Sequence, residues 1–451
     1  MSIWDNLRDR MRSWLGVEEM ADPRRQEQSN RYIKLDNYFR GRHDRQLKVK
    51  PGQPDDNLAI NLTGLVVDRG VSLLFGKEPK FDMEGDSASA QQVFIDEVWK
   101  ANKKPILLHD LAEFGGVLGT CYLKILPDGV KDGIARLVAL DPGLLEVETH
   151  PEDKDLVLAY EIEYGYMKDE EKILVRERTE REPVGETWTV RRYENHRTTG
   201  NRWALVDEQD WPFPFPPIHH WKNLPAAGSS YGRADISDDA IALQDAVNFV
   251  ASNIHKIIRY HAHPKTWARG KVAANRMSWG PDEIVQMEGE NAAVANLEMM
   301  SDLASSSGFL MFLRQALFDI SRTMDITSVV DKLGALTNFG LRVLFKDSID
   351  KLGTKRELYG DALVEINRRL LVMASKGEDG GVIVWPETLP VDDHGQAQTI
   401  EVDLRAGVVD LQTASTKRGY DWEIVKERKA EQQVAGDNIG AALLRAFNQG
   451  Q

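Results

Sequence analysis

The feature that most constrains this chain is a run of apolar residues at helical spacing, Ile241, Val247, Val250, Ile254, Ile257 and Ile258, ended by Pro264. A helix over 236–262, capped by Asp235 or Ser237, spans about 40 Å. Two further long helices are predicted, over 302–324 and 339–375, joined by 325–338. Helices this long suit walls between parts better than the core of one small domain. The 451 residues fit about three domains or one extended, multi-part subunit.

Before the first long helix the pattern is different. Ile3, Trp4, Leu7, Met11 and Leu15 predict an N-terminal helix, and Pro23 opens a second that runs to Phe39. A third is expected over 57–76 and two more over 87–118, split at Pro105. From Thr120 to Val206 short β-rich runs alternate with turn signals such as Asp141-Pro142-Gly143. These predict a mostly antiparallel sheet. A Pro-rich connector follows, 211–221, with His219 and His220 as loop residues. After Gly380-Gly381 come one short strand, smaller helices and a polar C-terminus. The fold class expected is α+β, mainly α.

The chemistry is mostly negative. There is no GxxxxGK[ST], HExxH or GxSxG pattern. Gly115-Gly116-Val117-Leu118-Gly119 follows a helix rather than a strand, so it reads as a helix end packed closely at glycines. His255, His261 and His263 have no carboxylate near them in sequence, and Asp392-Asp393-His394 fits the start of a helix. Glu161 and Glu163 share one strand face, as solvated strands often do. No catalytic residue, metal or cofactor is expected. Cys121 is the only cysteine, which excludes an intrachain disulfide and suits assembly in a reducing cytoplasm. No apolar run reaches the roughly 18 residues of a membrane helix.

Charge is distributed unevenly. The net charge is −14, so contact with nucleic acid has to be local or weak. No acidic residue occurs between Ala246 and Pro281, a window that holds Lys256, Arg259, Lys265, Arg269, Lys271 and Arg276. No Lys or Arg occurs between Met277 and Leu313, where Asp282, Glu283, Glu288, Glu290, Glu298 and Asp302 lie. Three readings stay open: solvated charge runs, a phosphate-facing basic half, or basic and acidic halves that meet across a subunit boundary.

The order of parts resembles the portal protein, or head-to-tail connector, of tailed bacteriophages. The stretches that carry the likeness are NLAINLTGLVVDRGVSLLFGKEPK (57–80), YGRADISDDAIALQDAVNFVASNI (231–254), LGALTNFGLRVLF (333–345) and TLPVDDHGQAQTI with RAGVVDLQTA near the end. Their order, more than any single motif, is what is specific.

The resemblance implies a ring, usually of twelve copies, at one capsid vertex. It implies a wing (1–235 with the long kinked helix 339–375), a stem (236–262 and 302–324), a clip (263–301), a tunnel loop (325–338) and a crown (376–451). Double-stranded DNA would slide through the channel with weak contacts from tunnel-loop residues Thr327, Ser328, Asp331, Lys332, Thr337 and Asn338. Lys265, Arg269, Lys271 and Arg276 would meet Asp282, Glu283, Glu288 or Glu290 of a neighbour, or line the DNA exit. The partners implied are the large terminase, capsid and scaffold proteins, and head-completion and tail adaptor proteins; no membrane is implied. The virion is the expected location. In the stem, Ile241, Val247, Val250, Ile254 and Ile258 are expected to pack on Phe309, Leu313, Leu317 and Ile320. Two other classes remain: a nucleic-acid-processing enzyme with a carboxylate metal site, and a virion scaffold protein without a channel.

Overall fold

The computed structural model describes residues 23–52, 54–83, 88–131, 134–168, 171–182, 187–196, 202–262, 265–272, 287–297, 303–325, 340, 343–387, 393–420, 422 and 424–428. The expected helix over residues 3–15 lies outside them. The chain divides into two units, Met1–Leu336 with Val343–Pro386, and Thr337–Arg342 with Glu387–Gln451.

The first unit is mixed α+β. Its helices are α1 (Pro23–Phe39), α2 (Leu62–Phe75), α3 (Ala88–Ala101), α4 (Lys104–Leu118), α5 (Asp238–Ala262), α6 (Leu303–Ile320) and α7 (Lys346–Met373). Its strands are β1 (Lys80–Asp82), β2 (Thr120–Lys131), β3 (Ile134–Leu140), β4 (Leu145–Thr149), β5 (Val157–Lys168), β6 (Glu171–Arg181), β7 (Trp188–His196), β8 (Trp203–Trp211), β9 (Ile218–Lys222), β10 (Lys265–Val272), β11 (Met287–Leu297) and β12 (Val382–Val384). All pairings among them are antiparallel. The sheets run β3-β2-β9 and β4-β5-β6-β7-β8, with β1-β12 and β10-β11 as separate pairs.

The main core joins α1–α4, the three-stranded sheet and α7 through side chains such as Leu35, Val67, Ile95, Trp99, Leu111, Leu123, Leu363 and Ile366. Within it, Trp99 Nε1 donates to Asn367 Oδ1 at 2.8 Å, so a buried indole is satisfied. A second cluster, Leu62, Val66, Val247, Leu313, Leu317 and Phe318, packs α2, α5 and α6 together.

Several expectations need correction. The helix expected over 57–76 starts only at Leu62, where Asn61 Oδ1 accepts from the Gly64 amide at 2.9 Å. Residues 58–61 stay out of the helix because α5 takes their backbone groups. The Ser252 hydroxyl accepts from Leu58 N, Asn248 Oδ1 from Ile60 N, and Gln244 Oε1 from Leu62 N and Thr63 N.

His219 and His220 are not loop residues. They sit on β9, paired to β2, because the prolines before them end at Pro217. The stem pairing holds for Val247, Val250, Leu313 and Leu317. Ile241 instead enters the main core, and Ile258, Phe309 and Ile320 are exposed. Those three lie off the helix faces that meet between α5 and α6.

On the five-stranded sheet, Glu161, Arg178, Arg191 and Glu208 form one cross-strand row. The two arginines face each other, and Glu180 reaches both at 3.2 and 3.3 Å. Arg176 Nη2 lies 2.6 Å from Glu163 and its Nε 3.5 Å from Glu161. The strand-face carboxylates are therefore ion-paired rather than poised for acid–base work.

The second unit holds α8 (Asp393–Arg405) and α9 (Leu411–Lys417), followed by helical residues 422 and 424–428. Asp410 Oδ1 caps α9 by accepting from Thr413 N at 2.8 Å.

Candidate functional site

The densest polar construction lies where the long helices begin and end. Asp235, just ahead of α5, has a fully covered carboxylate. Its Oδ1 lies 3.0 Å from Lys351 Nζ and its Oδ2 2.6 Å from Lys355 Nζ. Burial alone would raise this carboxyl's pKa, but the two ammonium groups outweigh it and hold it below the usual Asp value. Burial likewise lowers Lys351, against the pull of Asp235. Asp235 was one of two expected caps of α5; Ser237 fills that role, its hydroxyl accepting from Ala240 N.

The lysines belong to a polar stripe on α7 at positions 348, 351, 355 and 359, one helical face. Each residue holds a different part of the chain. The Ser348 hydroxyl donates to Arg322 O, and Lys351 Nζ donates to Ser321 O at 3.0 Å as well as pairing with Asp235. Lys355 holds Asp235. The Tyr359 hydroxyl donates to Asn223 Oδ1 at 3.1 Å and lies 3.2 Å from Cys121 Sγ. Lys351 thus ties the end of α6 to the start of α5 through one ammonium group.

Close approach makes this possible. A Cβ on Gly115 would fall on the Tyr359 hydroxyl and 2.6 Å from Cys121 Sγ. Gly119 has φ +90° and packs against the backbone of residues 232–234. The Gly115–Gly119 run is a tight helix end, as its sequence context indicated. Burial pushes the Cys121 thiol up to about 12, so it is a packed, inert group.

Just beyond α6 the chain is pinned again. Arg69 Nη1 donates to Met324 O at 2.6 Å, and Arg314 Nη2 to Asp325 Oδ1 at 2.9 Å. Both guanidinium groups lie over the Phe318 ring. Arg322 takes a left-handed conformation, φ +52°, as the chain turns out of the helix.

The six residues expected in a tunnel loop, Thr327, Ser328, Asp331, Lys332, Thr337 and Asn338, lie outside the described residues. Of the charged insert, Lys265, Arg269 and Lys271 are on β10, and Glu288 and Glu290 on β11. Arg276, Asp282 and Glu283 are outside the described residues. The described parts of the basic and acidic halves pair as antiparallel strands, with Lys271 opposite Glu288 in register. Among the described residues no group of His, Cys, Asp and Glu could hold a metal ion. No helix of the described residues is long and apolar enough to cross a membrane.

Sequence reasoning did not find the Lys351–Asp235–Lys355 centre, since two mid-helix lysines read as solvated. The available signal was their place in the 348–351–355–359 stripe.

A construction of buried ion pairs and side-chain-to-backbone bonds that fixes the ends of long helices is mechanical in kind. The family comparison agrees with that class. The family described as "Phage portal protein, SPP1 Gp6-like" matches residues 21–418. The chain belongs to that family, one of structural, non-enzymatic virion proteins that connect head and tail. Among solved structures, a chain of the "Neck of native GTA particle computed with C12 symmetry" is similar at 13% identity, covering 79% of this chain and 90% of that one, with a TM-score of 0.43. No curated protein matches.

Proposed function

We propose that this chain is one copy of a closed ring, of twelve as the family resemblance implies, that forms the DNA channel at a capsid vertex. In this reading α5 and α6 are the stem, the β10–β11 hairpin is the clip, residues 325–338 are the tunnel loop, and residues before α5 together with α7 are the wing. The crown is 376–451. The terminase, head-completion and tail adaptor proteins dock on the assembled ring, and capsid or scaffold proteins surround it.

The observation that carries the reading is the outward face of α6. Phe309, Phe312 and Ile320 follow helical spacing and are 52%, 63% and 47% exposed in the single copy, although the opposite face of α6 is packed. An uncovered apolar stripe on a helix already packed on one side calls for a second protein surface. The net charge of −14 suits a bore through which DNA slides, since a strongly cationic wall would hold phosphates. In the clip, Arg269 is exposed and available to a neighbour's acidic strand.

Negative-stain images of the purified protein over a range of ionic strength test this. Rings with a central hole are expected, and high salt should loosen them before it unfolds the subunits, because exposed pairs give only about 0–1 kcal/mol each. Absence of rings at every salt concentration would overturn the channel reading. Rings indifferent to salt would overturn the clip contacts alone. For the tunnel loop, deleting residues 329–334 should leave rings intact and abolish DNA packaging; packaging at the wild-type rate would remove the assignment.

A further inference from the structure

The second unit contains an apolar groove without an occupant among the described residues. Ala397, Ile400 and Leu404 of α8 share one face, and so do Leu411 and Ala414 of α9; with Trp422 and Val425 they line a concavity of about 400 Å³. Three short helical segments each show an apolar face to the same open groove, and together they leave contiguous apolar surface in contact with solvent. The polar groups at its edge are few. Glu401 is already bound by Arg405 at 2.7 Å, and Ser415 and Arg418 complete the polar rim. A small-molecule site needs several convergent polar groups to orient its ligand, and this groove offers an apolar surface instead.

The chain itself carries a segment of matching character. Residues 429–451 follow directly on the helix that supplies Trp422 and Val425. Within them Ile439, Ala442, Leu443, Ala446 and Phe447 recur at i, i+3, i+4, i+7 and i+8, the pattern of an amphipathic helix. Asp437 or Asn438 supplies the cap residue and Gly436 precedes them. The intervening residues, 429–436, can reach about 25 Å when extended, enough for the tail to return to the groove beside its own start. Arg445 is the only charged residue from 438 to 451, so an apolar slot can accept the segment without burying a charge pair.

We propose that residues 438–448 dock as a helix in this groove, in cis, and complete the packing of the second unit. The apolar stripe covers Ile400, Leu404 and Trp422, and the face that bears Ala441 and Asn448 looks away from the groove. The occupant is thus the same chain's tail, placed there by tether length and apolar match.

Disulfide trapping in the full chain tests the docking. Cys121, the one native cysteine, is buried and does not interfere. The variant Leu411→Cys/Leu443→Cys should oxidise within one chain, about tenfold faster than the control Leu411→Cys/Ala441→Cys on the opposite helical face, because docking raises the local thiol concentration on one face only. Equal rates for the two variants would mean an undocked tail and overturn the proposal. Cross-linked dimers in place of the intrachain bond would mean that the groove takes another copy's tail, and would overturn the cis assignment. Failure of the Leu411→Cys/Leu443→Cys pair to oxidise under conditions that fully oxidise free thiols would also overturn it. The readout does not depend on ring formation, so it stands apart from the channel reading.

Discussion

Asp235 shows how much one residue can organise. Among the described residues its carboxylate is the one acid paired with Lys351 and Lys355, and all three groups are buried. Replacing Asp235 by Asn keeps the shape and leaves two buried ammonium groups unpaired. A loss of about 3–5 kcal/mol is expected by chemical denaturation at neutral pH. The pH dependence has a definite sign. Unfolded Asp titrates near 3.9, and folded Asp235 titrates lower. Its stabilisation is therefore fully present above the unfolded value and disappears as pH falls through the folded one. The wild type should show this acid limb and Asp235→Asn should lack its share. A neutral-pH loss below about 1 kcal/mol, the range of exposed pairs, would mean that the centre does not hold the helices. The histidines of β9 add to acid sensitivity: burial pushes His220 down to about 4, with its Nδ1 2.9 Å from the Tyr160 hydroxyl.

At the scale of elements, α5 acts through a polar ladder as much as through its apolar stripe. Gln244, Asn248 and Ser252, spaced by four, line one helical face and take the backbone of residues 58–63. Gln244 also donates to Ile60 O at 2.6 Å, and Asn248 Nδ2 contacts His43 Nδ1 at 2.8 Å. This ladder sets where α2 begins and how the preceding segment lies along α5. Gln244→Leu removes the side-chain partner of Leu62 N, Thr63 N and Ile60 O at once, and leaves Leu62 N and Ile60 O only their mutual bond at 3.1 Å. Each unsatisfied buried group costs about 1–3 kcal/mol. Faster amide hydrogen exchange confined to residues 58–63 is expected, with α5 itself still protected. Unchanged exchange there would show that the ladder is dispensable.

For the whole molecule, the decisive surface is the uncovered face of α6. Phe312 is exposed and stacks with Phe309 at a centroid distance of 6.3 Å, so Phe312→Asp leaves the packed side of the helix untouched. The variant should keep its circular dichroism and thermal unfolding and lose rings, as counted in micrographs or by sedimentation. Normal rings from Phe312→Asp would move the subunit contact elsewhere. Loss of folding would show instead that this face packs within the chain.

What the sequence determined by itself is what local periodicity and turn chemistry encode. The boundary of α1 at Phe39, the break between α3 and α4, seven of the strands and the three long helices follow from spacing and from Pro and Gly, because those signals act within one or two turns of chain. The order of the parts was also enough to identify the family. Tertiary structure decided the rest. Five strands lack their own signal or sit beside prolines: β1, β4, β9 and the pair β10 and β11. Such strands form because a partner edge is present. Asp235 reads as a cap until α7 brings two lysines to it across more than a hundred residues. The start of α2 is set by side chains of α5, nearly two hundred residues away. Long-range partners satisfy or deny a backbone hydrogen bond, and no local pattern can encode that choice.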